Sequence, residues 1–226
     1  MNTSLSLSVL SVLFVAALLA CPPLATAEQV VYDSTQAVTS TWQGTNPGII
    51  ADRGVEMLLA GNERRLVLAE IGVTLQGVPG MIDLKAKVWA NDGPGQQPGT
   101  LLWESPWLED VSISGWYQLV PFDIPNVPVS DHITVTIAEK DCTTGASYGE
   151  PLASNAAIGT TLRNWTGTWP STGSGNWTQL NWSEPVAMRI TATPDPATLS
   201  LLALGGLLAL RGRRSKSSPR TGATRF

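Results

Sequence analysis

The chain is poor in the side chains that catalysis and metal binding most often use. Its 226 residues include two cysteines and one histidine, His132. A Ser-His-Asp triad needs a histidine, and alternation along the strand predicted around His132 places its ring on the solvent side. Zinc prefers several cysteine or histidine ligands, so a zinc site is disfavoured. We therefore expect a protein that is not an enzyme.

Charged residues are also scarce, and the two signs are unevenly distributed. Residues 28–193 contain eight Lys and Arg against seventeen Asp and Glu, a net charge of −9, whereas the six basic residues from Arg211 onward are accompanied by no acid. Binding to phosphates needs clustered basic side chains. The acidic body therefore argues against nucleic acid as a partner.

The first 27 residues have the pattern of a secretory signal peptide. Residues 5–19 are apolar with scattered serine, and Ala25-Thr26-Ala27 fits a small-x-small cleavage site, so that Glu28 would begin the mature chain. The alternative is a lipoprotein signal with a lipid on Cys21. Both alternatives predict export from the cytoplasm. Cleavage after Ala27 would leave one cysteine, Cys142, and hence no internal disulfide.

The end of the chain combines a proline-marked boundary, an apolar segment and a basic stretch. Residues 197–210 carry no charge over fourteen positions, with Pro194, Asp195 and Pro196 before them and Arg211, Arg213 and Arg214 after them. A helix of this length spans about 21 Å, less than the roughly 30 Å of a bilayer core. Basic residues that flank a span stay on the cytoplasmic side, so the body is expected across the membrane from them.

The order of these parts resembles the PEP-CTERM sorting signal of exported bacterial proteins, with Asp195 where that family usually has glutamate. In that family an exosortase, a membrane protease, recognises the tail. Gly205 and Gly206 weaken the helix in mid-span, which suits close helix contact or access by such an enzyme better than a permanent anchor.

The resemblance implies four regions and a cellular setting. The regions are a signal peptide (1–27), a body (28–193), a sorting signal with a short membrane helix (194–214) and a basic cytoplasmic tail (215–226). The implied setting is the envelope or extracellular matrix of a Gram-negative bacterium, with at least transient contact to the membrane and an association with exopolysaccharide.

The body has the sequence pattern of β-strands. Apolar residues recur at every second position in residues 67–75, 84–90, 133–137 and 186–192. A period of two places one face of a strand on a core and the other in water, so Lys85, Lys87 and Trp89 are expected to face outward. Gly, Pro, Asn and Ser are dense between these runs. We therefore predict an antiparallel, jelly-roll-like β-sandwich.

Tryptophans near the end of the body are candidates for binding sugar. Trp165, Trp169 and Trp177 lie in a stretch rich in Asn, Thr and Gly, and flat rings exposed in loops could stack on sugar faces. The alternative is that these rings bury about 150–250 Å² each against the sandwich. The sequence thus leaves open a carbohydrate-binding module as the alternative to a surface protein of unassigned activity.

Acidic residues allow two further hypotheses. Asn91 and Asp92 could supply oxygen ligands to calcium, although Asn-Asp-Gly more often forms a turn. Numerous carboxylates also leave room for an envelope glycosidase, which needs a pair of carboxylates facing each other across a cleft. No residue is singled out as the acid or the nucleophile of such a pair.

Overall fold

In a computed structural model of the chain, the described residues are 27–45, 51–77, 80–114, 116–140, 146–168 and 177–195. They form thirteen β-strands and one 3-10 turn, Pro94–Gln96. The strands are β1 Gln29–Asp33, β2 Val38–Thr45, β3 Ala51–Leu58, β4 Arg65–Gly77, β5 Gly80–Ala90, β6 Leu101–Glu104, β7 Leu108–Ile113, β8 Gln118–Pro128, β9 His132–Lys140, β10 Ala146–Ala153, β11 Thr160–Thr168, β12 Trp177–Leu180 and β13 Met188–Thr193. Within this described part, no helix is long and apolar enough to cross a membrane.

The strands form two antiparallel sheets. Sheet one has the order β1-β13-β4-β10-β2, and β8 also pairs with β4. Sheet two has the order β12-β11-β3-β9-β5-β6, and β7 also pairs with β5. The prediction of an all-β sandwich is therefore confirmed.

The core between the sheets comes from the alternating runs. In β5 the side chains of Leu84, Ala86 and Val88 are fully buried, and in β9 the same holds for Ile133 and Val135. Burying an aliphatic side chain of this size contributes roughly 1.5–3 kcal/mol relative to leaving it in water. The inward face predicted for both strands is confirmed.

At the start of β4, the residues that face the core are not the ones that the alternating pattern predicted. Where β4 pairs with β13, the register shifts between Leu66 and Leu68, so that Val67 is an extra residue in β4. Such a bulge places an extra residue in one strand, so the inward side moves by one position. Leu66 and Ala69 are fully buried while Val67 is half-buried, so the expectation that Val67 faces the core was wrong.

The outward faces of β5 and β9 also differ from the prediction. Lys87 is 3% and Trp89 1% exposed, and Thr134 and Thr136 on the same face are fully buried. At Trp89 this outer face is covered by tryptophan rings from β11 and β12, and Lys87 pairs with a carboxylate of β3. The prediction that Lys87 and Trp89 face water was therefore wrong.

The body begins and ends at the same end of sheet one. Strand β1 pairs with β13, and Gln29 lies opposite Ala192. On its other side β13 pairs with the start of β4, where Thr193 lies opposite Arg65. The first residue of β1 and the last residue of β13 therefore lie close together at this end.

Candidate functional site

The outer face of sheet two carries a buried carboxylate, Glu56, which is 0% exposed. Its strand, β3, lies between β9 and β11, and these neighbours supply its partners. At Oε1 the carboxylate meets Nε2 of His132 and Nη2 of Arg163, both at 2.7 Å. At Oε2 it accepts from Nε1 of Trp165 at 2.7 Å and from Nε of Arg163 at 2.6 Å. Both oxygens are thus held by charged or ring N–H donors.

Arg163 joins this carboxylate to the loop after β5. Its Nη1 donates to the carbonyl oxygen of Gly95 at 3.2 Å, and its Nη2 also lies 3.4 Å from Oε1 of Gln96. Gln96 adopts a φ of 63°, in the left-handed region that non-glycine residues rarely occupy. Guanidinium groups present several donors in a rigid fork, which suits the bidentate contact with Glu56.

Three tryptophans form a second apolar cluster beside Glu56, here called the outer tryptophan cluster: Trp89, Trp165 and Trp177. The rings of Trp89 and Trp177 meet edge to face, with centroids 5.3 Å apart. Nε1 of Trp89 donates to Oγ1 of Thr136 at 3.1 Å. Gly167 allows this arrangement because a Cβ there would lie 3.0 Å from ring atoms of Trp177.

The residues predicted to stack on sugars do not have the exposed ring faces that this function needs. Trp165 is 5% and Trp177 8% exposed, so neither offers a ring face to a ligand in this conformation. Burial agrees with the alternative that these rings pack on the sandwich, and it removes the support for sugar stacking by Trp165 and Trp177. Trp169 lies outside the described residues.

His132 is on the outer face, as alternation predicted, but it is not a freely exposed surface residue. Its side chain is 22% exposed and is held by Glu56. The neighbouring residue on the same face, Thr134, donates from Oγ1 to Oδ1 of Asn91 at 2.8 Å. The histidine therefore belongs to the carboxylate cluster.

A second buried ion pair lies on the same face. Nζ of Lys87 is 2.7 Å from Oδ2 of Asp52, and both side chains are almost fully buried. Burial raises the pKa of the Asp52 carboxyl, and the hydrogen bond and charge of Lys87 oppose this effect without cancelling it. Lys87 also lies 5.6 Å from the ring centroid of Trp89.

A third ion pair is buried between the two sheets. Nη1 of Arg53 on β3 lies 3.1 Å from Oε1 of Glu150 on β10. Burial raises the pKa of Glu150, against the opposing charge and hydrogen bond of Arg53. A crevice of about 10 Å³ adjoins the pair, with room for about one water. Asn164 also lines it and donates to the carbonyl oxygens of Trp182 and Glu184, both at 3.0 Å.

The loop proposed for calcium forms a closed turn. Oδ1 and Oδ2 of Asp92 accept from the backbone N–H and the hydroxyl of Thr100, at 2.7 and 2.6 Å. The hydroxyl and backbone hydrogen bonds of Thr100 lower the pKa of Asp92. Among the described residues, no group of three or more His, Cys, Asp or Glu could hold a metal. Asn91 and Asp92 therefore fit the turn better than a calcium site.

The sorting-signal residues are mostly beyond what the structure describes. Pro194 and Asp195 follow β13 directly. Outside the described residues lie Pro196, Gly205, Gly206, Arg211, Arg213 and Arg214.

The residues that organise the outer face, Glu56, Arg163 and Trp89, were not predicted as a site from the sequence. A signal was present for Glu56, because this acidic residue stands among Val55, Met57 and Leu58 in the apolar second half of the strand. No signal identified its partners, which are 76 residues away for His132 and 107 for Arg163.

Comparisons with known proteins identify no family for this chain. No family model matches the chain, and no curated protein matches it. A solved structure titled "Structure of infectious bursal disease virus Gt strain" is similar over 77% of this chain and 43% of that chain, with 12% identity and a TM-score of 0.29. The chain therefore spans less than half of that viral chain.

Proposed function

We propose that this protein is exported and held at, or released from, the surface of a bacterial cell through its C-terminal tail. The observation that carries the proposal is the fit between the fold and the two targeting segments. The first strand starts at Gln29, two residues after the proposed cleavage site at Ala27, and the last strand ends at Thr193, directly before Pro194. Removing both segments would cut no strand.

The physical properties of the tail support the same proposal. Residues 197–210 are apolar and short, and Arg211, Arg213 and Arg214 would remain on the cytoplasmic side. A helix shorter than the hydrocarbon core requires local thinning of the bilayer or snorkelling of the flanking arginines. Such a marginal anchor is suited to cleavage by an exosortase-type membrane protease.

We further propose that the sandwich is a jelly roll with additional strands. The order β2-β10-β4-β8 in sheet one and β3-β9-β5 followed by β6 or β7 in sheet two is the strand order of an eight-stranded jelly roll. Strands β1 and β13 extend sheet one, and β11 and β12 extend sheet two. The strand order supports this assignment.

In this proposal the body has no catalytic activity. It acts by binding or as a structural component of the cell surface. A glycosidase needs two carboxylates facing each other across a cleft. Three of the six buried carboxylates among the described residues, Asp52, Glu56 and Glu150, are each engaged by a cationic side chain at 2.6 to 3.1 Å. The carbohydrate-binding alternative loses the support of Trp165 and Trp177, because both rings are buried.

Charge removal in the tail tests the proposed anchoring. In cells that carry an exosortase-type protease, replacing Arg211, Arg213 and Arg214 by Gln is expected to move most of the protein out of the membrane fraction, because the cytoplasmic stop is lost. The matched control replaces Lys216, Arg220 and Arg225 by Gln, which removes the same charge farther from the apolar segment. Fractionation and immunoblotting measure both variants. Equal distributions of the two variants would contradict the role of the arginines.

A further inference from the structure

Strand pairing shows from which end of the sandwich the tail leaves. Thr193, the last residue of β13, lies opposite Arg65, the first residue of β4. Residues 59–64 connect Arg65 to the end of β3 at Leu58 in sheet two. The neighbouring connection between the sheets, residues 129–131, is joined to residues 59–64 by two backbone hydrogen bonds of 2.8 Å. Leu58 and Thr193 therefore border the same end of the sandwich, here called the tail end.

Three large apolar side chains are exposed where sheet two reaches the tail end. Leu58 is 38%, Ile158 37% and Leu162 42% exposed. Leu58 lies directly opposite Thr160, so these two side chains share one face, and Ile158 and Leu162 are two residues away from Thr160 on either side. A Cβ on Gly159 would lie 2.7 Å from the carbonyl oxygen of Leu58, so this segment passes close to the end of β3. We call Leu58, Ile158 and Leu162 the apolar corner.

The charges beside the apolar corner do not form a patch of one sign. Residues 59–64 and 129–131 carry one basic and two acidic residues, Arg64, Glu63 and Asp131. Attraction to an anionic lipid surface needs a cluster of basic side chains. A contact made by this end would therefore depend on its apolar side chains.

The apolar segment of the tail starts close to the apolar corner. Three residues, Pro194, Asp195 and Pro196, separate Thr193 from the segment 197–210. The four peptide units from Thr193 to residue 197 span at most about 14 Å. Two packed sheets lie about 10 Å apart, so both sheets are within a similar distance of the start of this segment. If residues 197–210 lie in a bilayer, the tail end is the part of the body that is held against the lipid.

We infer that the apolar corner rests on the surface of the bilayer that holds the tail. Clustered exposed apolar side chains mark contact sites for proteins or membranes, and an interfacial contact becomes stronger with the apolar area that it buries. The short connection after Thr193 favours lipid over a second copy of the chain, because the chain itself brings the lipid within reach. The inference rests on the proposed function for the insertion of the tail, and it adds which surface of the body touches the membrane.

Fluorescence quenching in lipid vesicles tests this contact with the full chain. Cys21 and Cys142 are replaced by Ser, and a fluorophore is attached through Ile158→Cys or, as the matched control, through Met81→Cys. Met81 is 50% exposed, and β5 runs from there to Ala90 at the tail end, a distance of roughly 30 Å. The vesicles consist of phosphatidylethanolamine, phosphatidylglycerol and a lipid that carries a nitroxide quencher on its headgroup.

We expect quenching at Ile158→Cys to be at least about threefold stronger than at Met81→Cys, because the contact holds the apolar corner at the headgroups. The added double substitution Leu58→Ser/Leu162→Ser should reduce the quenching at Ile158→Cys at least about twofold, because less apolar area is buried. This second comparison distinguishes an apolar contact from proximity through the tail alone. An unchanged urea-unfolding midpoint shows that the substituted chain is folded.

Equal quenching at the two labels, or quenching at Ile158→Cys that the double substitution leaves unchanged, would overturn the inference. Energy transfer between donor-labelled and acceptor-labelled copies, without quenching by lipid, would assign the apolar corner to a second copy of the chain instead. Flotation of the same vesicles separates the two proposals. Protein that floats without quenching at Ile158→Cys contradicts this inference alone, whereas protein that does not float contradicts the proposed anchoring as well.

Discussion

Arg53→Met is expected to destabilise the protein by about 3–5 kcal/mol at pH 7, because it leaves the carboxylate of Glu150 buried between the sheets without its guanidinium partner. Glu150 is 1% exposed, and the adjoining crevice has room for about one water, which cannot replace the charge of the guanidinium. Glu150→Gln should have a similar effect, since it removes the carboxylate charge that Arg53 faces at 3.1 Å. Urea-induced unfolding followed by tryptophan fluorescence measures both variants.

The double variant Arg53→Met/Glu150→Leu distinguishes a lost ion pair from a general loss of packing. Replacing both charges by apolar groups of similar volume should cost less than either single change. Additive losses in the double variant would contradict this account of the pair.

The loss in Arg53→Met should also depend on pH in a defined direction. Burial raises the pKa of Glu150, and removing the arginine takes away the charge that opposes this effect. An acid whose folded-state pKa is raised costs stability above its unfolded pKa, and this cost disappears when both states are protonated. The difference between variant and unmodified protein should therefore shrink as the pH is lowered from 7 toward the ordinary range of a glutamate, and it should be smallest below that range.

Glu56→Gln is expected to cost about 3 kcal/mol on the outer face of sheet two. The carboxylate accepts from Arg163 and Trp165 and contacts His132, and a carboxamide places an N–H donor against at least one of these donors. Breaking a buried ion pair costs about 3–5 kcal/mol, and we expect a value at the lower end of this range because the side chain of Arg163 is 24% exposed.

Glu104→Gln provides a matched control for this substitution. Glu104 pairs with Lys85 at 3.4 Å, but its side chain is 47% exposed. Exposed ion pairs contribute about 0–1 kcal/mol, so the control should change the unfolding free energy little. A loss as small for Glu56→Gln as for the control would show that the carboxylate cluster does not stabilise the sheet.

The alternating apolar pattern was sufficient to predict the strands that form the centre of both sheets. Residues 84–90 and 133–137 lie in β5 and β9, and their inward faces were identified correctly. These predictions succeed because the side-chain period of a strand is set by local geometry. Strand β10 was missed, because its sequence ASYGEPLA has no regular alternation and contains a proline.

The candidate site could be predicted less well from the sequence, because it depends on which strands pair and in which register. Trp165 and Trp177 were identified as candidates, but their burial follows from how β11 and β12 pair and from the space left by Gly167. Glu56 gains its partners only when β3 lies between β9 and β11. Pairing of strands so distant in sequence leaves no local pattern, so neither contact was predictable.

Export of a folded sandwich through its two terminal segments is the central claim, and the intact mass of the protein recovered from fractionated cells tests it most directly. The proposal predicts protein in the membrane or outside the cell, with a mass that begins at Glu28, or at Cys21 with a lipid, and that includes or lacks the residues after Pro194 according to whether the protease has acted. A soluble cytosolic protein with the mass of all 226 residues, uncut at both termini, would contradict the account.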